Sequence, residues 1–330
     1  MRLLVFLLAA ACADFSAKPT FPVEAAGKPV VSEQAILGIS DPGDAAVAQL
    51  VDADGQEPEL GLLVFDRAGG PSRPIVNAPP NVARAVAQRV REAGRRPSPI
   101  LAAALAVEWP EAAAVAADHG FEPRPPAMPE PGRRRWPIAG APEIGSLPLV
   151  LRLAETGDAT VLMLGEKPAG DEIELARMPL AGVAVAPELW IARNVAWLVS
   201  GSVLDGGPLH RAVGVRRGSL SRGEAQLHNA HGLADYSAGD LDAARREFDR
   251  AIAADPGWVD ALYNAASAAA LSDRPDEAVA LLRRAAEADP ARVQVLGRND
   301  EDLKILRKRA DVRALLGLKR PPPDNVPAPP

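Results

Sequence analysis

Two of the chain's four histidines, His228 and His231, stand in the segment HNAHGLAD, and Asp235 closes it. On a helix of 3.6 residues per turn these three positions share one face, so two imidazoles and a carboxylate form a candidate metal centre. The segment lacks the HExxH arrangement that zinc enzymes present on a helix. Glu172 and Glu174 in DEIELARM would point the same way from a strand and could act as a carboxylate pair. A solvated outer strand face, with Ile173 and Leu175 turned inward, accounts for them more simply. Ser200 and Ser202 in VSGSV lack the G-x-S-x-G elbow of a hydrolase serine. The sequence holds no Walker loop and no G-x-G-x-x-G opening a helix, so nucleotide binding has no motif behind it. Arg133 to Arg135 beside Trp136 offer a basic patch for anionic headgroups or, more simply, a solvated linker. A net charge of -6 over 330 residues is the wrong sign for a protein that coats nucleic acid.

The elements that would carry these residues fall into separate stretches. AILGIS, AAVAQLVD and LGLLVFD are short apolar runs divided by the turn signals DPGD and DADGQEPE. NAPPNVARAVAQRVREAGRR predicts a helix with Asn81 as N-cap, Val82, Val86 and Val90 on one face and Gly94 as the stop. EAAAVAADHG predicts a short helix, and a proline-rich insertion near 121–148 is expected to be irregular. Strand patterns return in PLVLRLAE, ATVLMLGE, DEIELARM, LWIA, VAWLVSGSVL and HRAVGVRRG. Residues 35–220 are therefore expected to form one α+β domain, mainly antiparallel with a few helices.

The start, MRLLVFLLAAACADFSAKP, has the layout of a secretory signal: Arg2, an apolar run from Leu3 to Ala11, then small residues. That run is shorter than the roughly 20 apolar residues that span a bilayer. Cys12 is the single cysteine. The segment LLAAAC resembles the lipobox of bacterial lipoproteins, although Ala9 stands where that family prefers leucine. The resemblance implies removal of residues 1–11, lipid attachment at Cys12 and a tether over 12–34. Ala13 is not the aspartate that retains such proteins in the inner membrane, so the periplasmic face of the outer membrane is the expected address. The alternative is an ordinary secretory signal cut after Ala13. The abundance of alanine, arginine, proline and glycine fits a GC-rich bacterial genome.

Beyond Arg222 the chain is helical and repetitive. Asp255-Pro256 recurs as Asp289-Pro290, an offset of 34 residues, and Ala244, Phe248 and Ala251 recur as Ala278, Leu282 and Ala285 at the same offset. With Gly232, Tyr236 and Gly239-Asp240, this pattern over residues 225–318 resembles the tetratricopeptide repeat family. The segment NDEDLKILRKRADVRALLG is similar to the shortened, polar helical ends that close such arrays. The expected fold is thus α+β followed by an all-α tetratricopeptide repeat domain, with a disordered proline-rich tail over 319–330. The resemblance implies a groove for a protein or peptide partner, lined by Asn229, Leu233, Tyr236, Tyr263, Asn264 and Ser267. Asn264 and Arg298 match positions of a known carboxylate clamp, but Asn229 and Leu233 replace its lysine and asparagine. In this register His228, His231 and Asp235 occupy inward packing positions, expected to meet the α+β domain because the first repeat has no predecessor. The expected function is a non-catalytic cell-envelope adaptor or assembly factor, membrane-bound through its lipid, with no cofactor. The rival is an envelope hydrolase or metal-dependent enzyme with the repeats as docking module, and self-association through the repeats is a further alternative.

Overall fold

A computed structural model describes residues 30–318 except 42, 54, 67–70, 95, 97, 131–133, 139–142, 145–146, 168–169, 181, 193 and 205–209. The expectations for the signal, Cys12 and most of the tether, for Arg133 and for the tail at 319–330 lie outside the described residues. The chain divides into two compact units, with the main boundary between Leu220 and Ser221.

The first unit contains β1 (Val30–Ile39), β2 (Ala45–Ala53), β3 (Glu59–Phe65) and β4 (Pro71–Asn77), followed by α1 (Pro80–Glu92), α2 (Leu101–Glu108) and α3 (Glu111–Asp118). Strands β5 (Arg135–Pro137), β6 (Glu143–Ile144), β7 (Leu147–Thr156), β8 (Ala159–Glu166) and β9 (Glu172–Pro179) come next. The last are β10 (Val183–Ala192), β11 (Val195–Leu204) and β12 (His210–Ser219). One sheet has the order β10-β11-β12-β1-β2-β3-β4, and the other runs β5-β7-β8-β9 with β6 beside β7. Among the described registers, β1 with β12 is parallel and the rest are antiparallel. The mainly antiparallel α+β expectation therefore holds.

Side chains alternate along these strands with period two. Ala46, Ala48 and Leu50 with Leu60, Leu62 and Val64 pack among α1–α3, while Ala45, Val47, Phe65, Trp197, Val213 and Val215 form a second core. Val30–Gln34, read from the sequence as the end of the tether, instead belong to β1, and Ser32 pairs with both Val51 and Ala212. Glu33 disguised this strand: its carboxylate is buried but held by the equally buried Arg211. Arg211 also donates to the carbonyls of Gly94, Arg96 and Ser98, and Glu33 accepts the Leu101 N–H at 3.1 Å.

Asn81 is not the N-cap of α1. Pro79 holds that place and Pro80 the first helical position, where a missing N–H costs nothing and a fixed φ starts the helix. Gly94, at φ 65°, does end it. Helix α2 carries no amphipathic signal in the sequence because LAAALAVE is apolar around most of its circumference. The stretch near 121–148, expected to be irregular, instead includes β5, β6 and the start of β7, and residues 121–130 are tied down. Ile39 and Glu122 form a bridge, the Ala127 N–H reaches the Leu189 carbonyl at 2.6 Å, and Trp190 and Trp136 donate to the carbonyls of Arg124 and Ala127.

The second unit is helical: α4 (Leu220–Ala238), α5 (Leu241–Ala254), α6 (Val259–Leu271), α7 (Pro275–Ala288), α8 (Pro290–Gly297) and α9 (Ala310–Leu315), with 3-10 turns at Glu301–Leu303 and Leu306–Lys308. Its core joins Ala244, Phe248, Ala251, Ala278, Leu282 and Ala285 to Leu303, Leu306, Val312 and Leu316. Gly232 lets α4 approach α5, since a Cβ there would lie 2.6 Å from the Phe248 ring.

Candidate functional site

Helices α4 and α6 carry the residues expected to line the groove. Asn264 donates to Asn229 Oδ1 at 2.9 Å, linking the first helices of the two repeats. Leu233 packs against the helical core, Ser267 is buried, and Arg298 is exposed just beyond α8. The two tyrosines converge on a feature the sequence did not announce. Tyr263 Oη donates to Asp300 Oδ2 at 2.5 Å, Ser267 Oγ donates to the same oxygen at 3.4 Å, and Tyr236 Oη donates to Asp302 Oδ2 at 2.6 Å. The chain's own acidic turn thus occupies the hydroxyls expected to meet a partner. Burial first, then the adjacent aspartates, push both tyrosine hydroxyls well above the ordinary phenol range.

Local chemistry explains the turn. The 34-residue spacing puts Asp300 and Asp302 opposite Ala266 and Ala268, both buried in α6. A carboxylate cannot replace a methyl group in such packing without a partner. Helix α8 accordingly ends at Gly297, where an added Cβ would lie 2.3 Å from Leu316. Asp300 then caps the following turn, its Oδ1 accepting the Asp302 N–H at 3.0 Å. Arg307 donates to the carbonyls of Gly297 and Asp300, and Leu303 and Leu306 are fully buried beneath the turn. Asp300, Asp302 and Arg307 were missed. Acidic residues at positions that are small and buried one repeat earlier were the available signal.

The metal candidates do not converge. His228 is buried with its Nδ1 2.7 Å from Glu247 Oε2 on α5, a partner within its own repeat. Burial lowers the His228 pKa below its ordinary value, with the Glu247 contact opposing that shift. Among the described residues no group of three or more His, Cys, Asp or Glu is placed to hold a metal, so His231 and Asp235 do not complete a set with His228.

The other candidates are engaged in ordinary ways. Arg152 grips Glu172 through two hydrogen bonds and holds its carboxyl below the usual range, while Arg177 pairs with Glu174. A register shift between Leu162 and Met163 buries both Leu175 and Ala176, so the alternation of this strand is imperfect. Ser200 and Ser202 are buried strand residues, and Ser200 Oγ lies 3.2 Å from Thr160 Oγ1. Arg134 pairs with Glu155, and Trp136 is buried on β5, so Arg135–Pro137 is strand and not linker.

Helix pairs repeated at a fixed interval, each burying its apolar face against the next, define an α-solenoid segment. A tetratricopeptide repeat profile matches residues 235–297, from the end of α4 through α8. A search of curated proteins returned no match. The chain therefore carries a tetratricopeptide repeat segment as well as an α+β unit, and repeats of this kind commonly serve protein–protein interaction.

Proposed function

We propose that this protein is a non-catalytic, lipid-anchored adaptor of the bacterial cell envelope, recruiting a protein partner through its repeats. The observation that carries the reading is the tetratricopeptide segment over residues 235–297. The side chains that could have supported acid–base chemistry on β9 are neutralised by neighbouring arginines. The anchor rests on Cys12 and the lipobox-like LLAAAC. Several acyl chains hold a protein on a membrane stably where one is marginal.

A photoreactive residue placed at the exposed Arg298, cross-linked in the native envelope with products identified by mass spectrometry, tests the adaptor reading. One reproducible partner that disappears with Phe248→Ala supports it, and a spectrum of unrelated products overturns it. Stoichiometric zinc in the purified chain, lost on His228→Ala with His231→Ala, would replace the adaptor by the metal-dependent enzyme. For the anchor, Cys12→Ser should release the chain from the membrane fraction and abolish labelling with palmitate. Unchanged fractionation, with no label in the parent chain, would remove the lipid from the reading.

A further inference from the structure

We infer that the acidic turn Asp300–Leu303 is an internal ligand of the repeat groove, and that the partner is a protein presenting an equivalent acidic segment in its place. The inference rests on reading the repeats as partner-binding and adds the chemistry of the partner and the state in which the groove rests. Three contacts define that chemistry. Tyr263 and Ser267 donate to one carboxylate, Tyr236 donates to a second carboxylate two residues on, and Leu303 enters the apolar core directly after. Hydroxyl donors aimed at a carboxylate make charge-assisted hydrogen bonds, which a neutral amide or apolar side chain does not reproduce. The groove therefore selects a segment of the form acidic–any–acidic–leucine, the pattern of Asp300-Glu301-Asp302-Leu303 itself. Because the internal copy is tethered, its effective concentration is high, and an external copy must displace it to bind. The resting chain is closed to such a partner until the turn lifts.

The experiment uses the full chain and a fluorescent synthetic peptide of residues 298–308, RNDEDLKILRK. Binding is followed by fluorescence anisotropy. Asp300→Asn with Asp302→Asn removes both charges while asparagine keeps the capping capacity of the turn. The peptide is expected to bind this variant at least about tenfold more tightly than the parent chain, a difference of roughly 1.4 kcal/mol. The gain should vanish when Tyr236→Phe and Tyr263→Phe are added, and also with a peptide whose two aspartates are asparagines. A folded variant that binds no better than the parent, or that binds the asparagine peptide equally well, overturns the inference. Should the aspartate variant fail to fold, Tyr236→Phe with Tyr263→Phe in the otherwise unaltered chain is the second measurement. Backbone hydrogen exchange over 299–306 is expected to accelerate, and unchanged exchange overturns the latch. A cross-linked partner without an acidic segment would leave the adaptor standing and remove this inference alone.

Discussion

Glu33 and Arg211 show what one buried charge pair demands of its surroundings. Both side chains are withdrawn from water, and burial raises the Glu33 pKa against the pull of Arg211. The guanidinium has three further acceptors in the α1–α2 connection, which a lysine ammonium could not serve in that planar geometry. Arg211→Met should cost about 3–5 kcal/mol in urea denaturation because it strands a buried carboxylate, and Arg211→Lys should recover little of it. His228 supplies a second prediction at this scale. The charged groups around it are Glu247, which favours protonation, and Arg250 and His231, which oppose it, while burial dominates. A folded pKa below the unfolded value of about 6.5 means the unfolded state binds the proton more readily. Its contribution is therefore present above about pH 6.5 and lost as pH falls from there through the lower folded pKa. Midpoints of the helical transition should decline between pH 7.5 and 5.5, and His228→Gln should flatten that decline. An unchanged slope in the variant would assign the pH dependence to another group.

The two repeats close their helix pairs with the same backbone device and different chemistry. Gly239 sits at φ 86° and Asp273, its counterpart 34 residues on, at φ 57°. The next N–H closes the same bond in each, Asp240 to the Asp235 carbonyl at 3.0 Å and Arg274 to the Ala269 carbonyl at 2.9 Å. Asp240 also caps α5 through the Ala243 N–H, whereas Arg274 offers α7 no side-chain cap. The second turn is the poorer copy. Asp273→Gly should relieve roughly 1–2 kcal/mol of left-handed strain against roughly 0.4–1 kcal/mol of added unfolded-state entropy, a net gain of up to about 1.6 kcal/mol. Calorimetry of the variant measures it, and a loss of stability would show that the aspartate side chain holds the turn. The Gly239-Asp240 turn, the alanine and phenylalanine positions and most strands were legible because local chemistry and tertiary role agree there. Helix α2 and the start of β1 were not, since an all-apolar octapeptide has no polar face and Glu33 is intelligible only with Arg211, far along the chain.

Two repeats bury too little to stand unaided, and the segment after α8 supplies the remainder. Leu303, Leu306, Val312 and Leu316 are all fully buried in the helical core. The sequence marked this stretch as an array end, but not that it returns across the tyrosines. That return depends on Asp300 and Asp302 meeting hydroxyls more than thirty residues earlier, a pairing no local pattern reports. At about 1.5–3 kcal/mol per buried aliphatic side chain, the four together contribute roughly 6–12 kcal/mol. A whole domain is stable by only about 5–15 kcal/mol. Ending the chain after Gly297 should therefore melt the repeats and not merely open their groove, with loss of cooperative helical unfolding in circular dichroism. Leu303→Ala should cost about 2–5 kcal/mol by the same measurement, while Asp300→Asn with Asp302→Asn, which keeps the leucines, should cost far less. That ordering separates the two duties of the segment, since the leucines hold the fold and the carboxylates hold the groove shut. A truncated chain that unfolds as cooperatively as the parent would mean that α4–α8 suffice, and the closing segment would be a ligand without being part of the core.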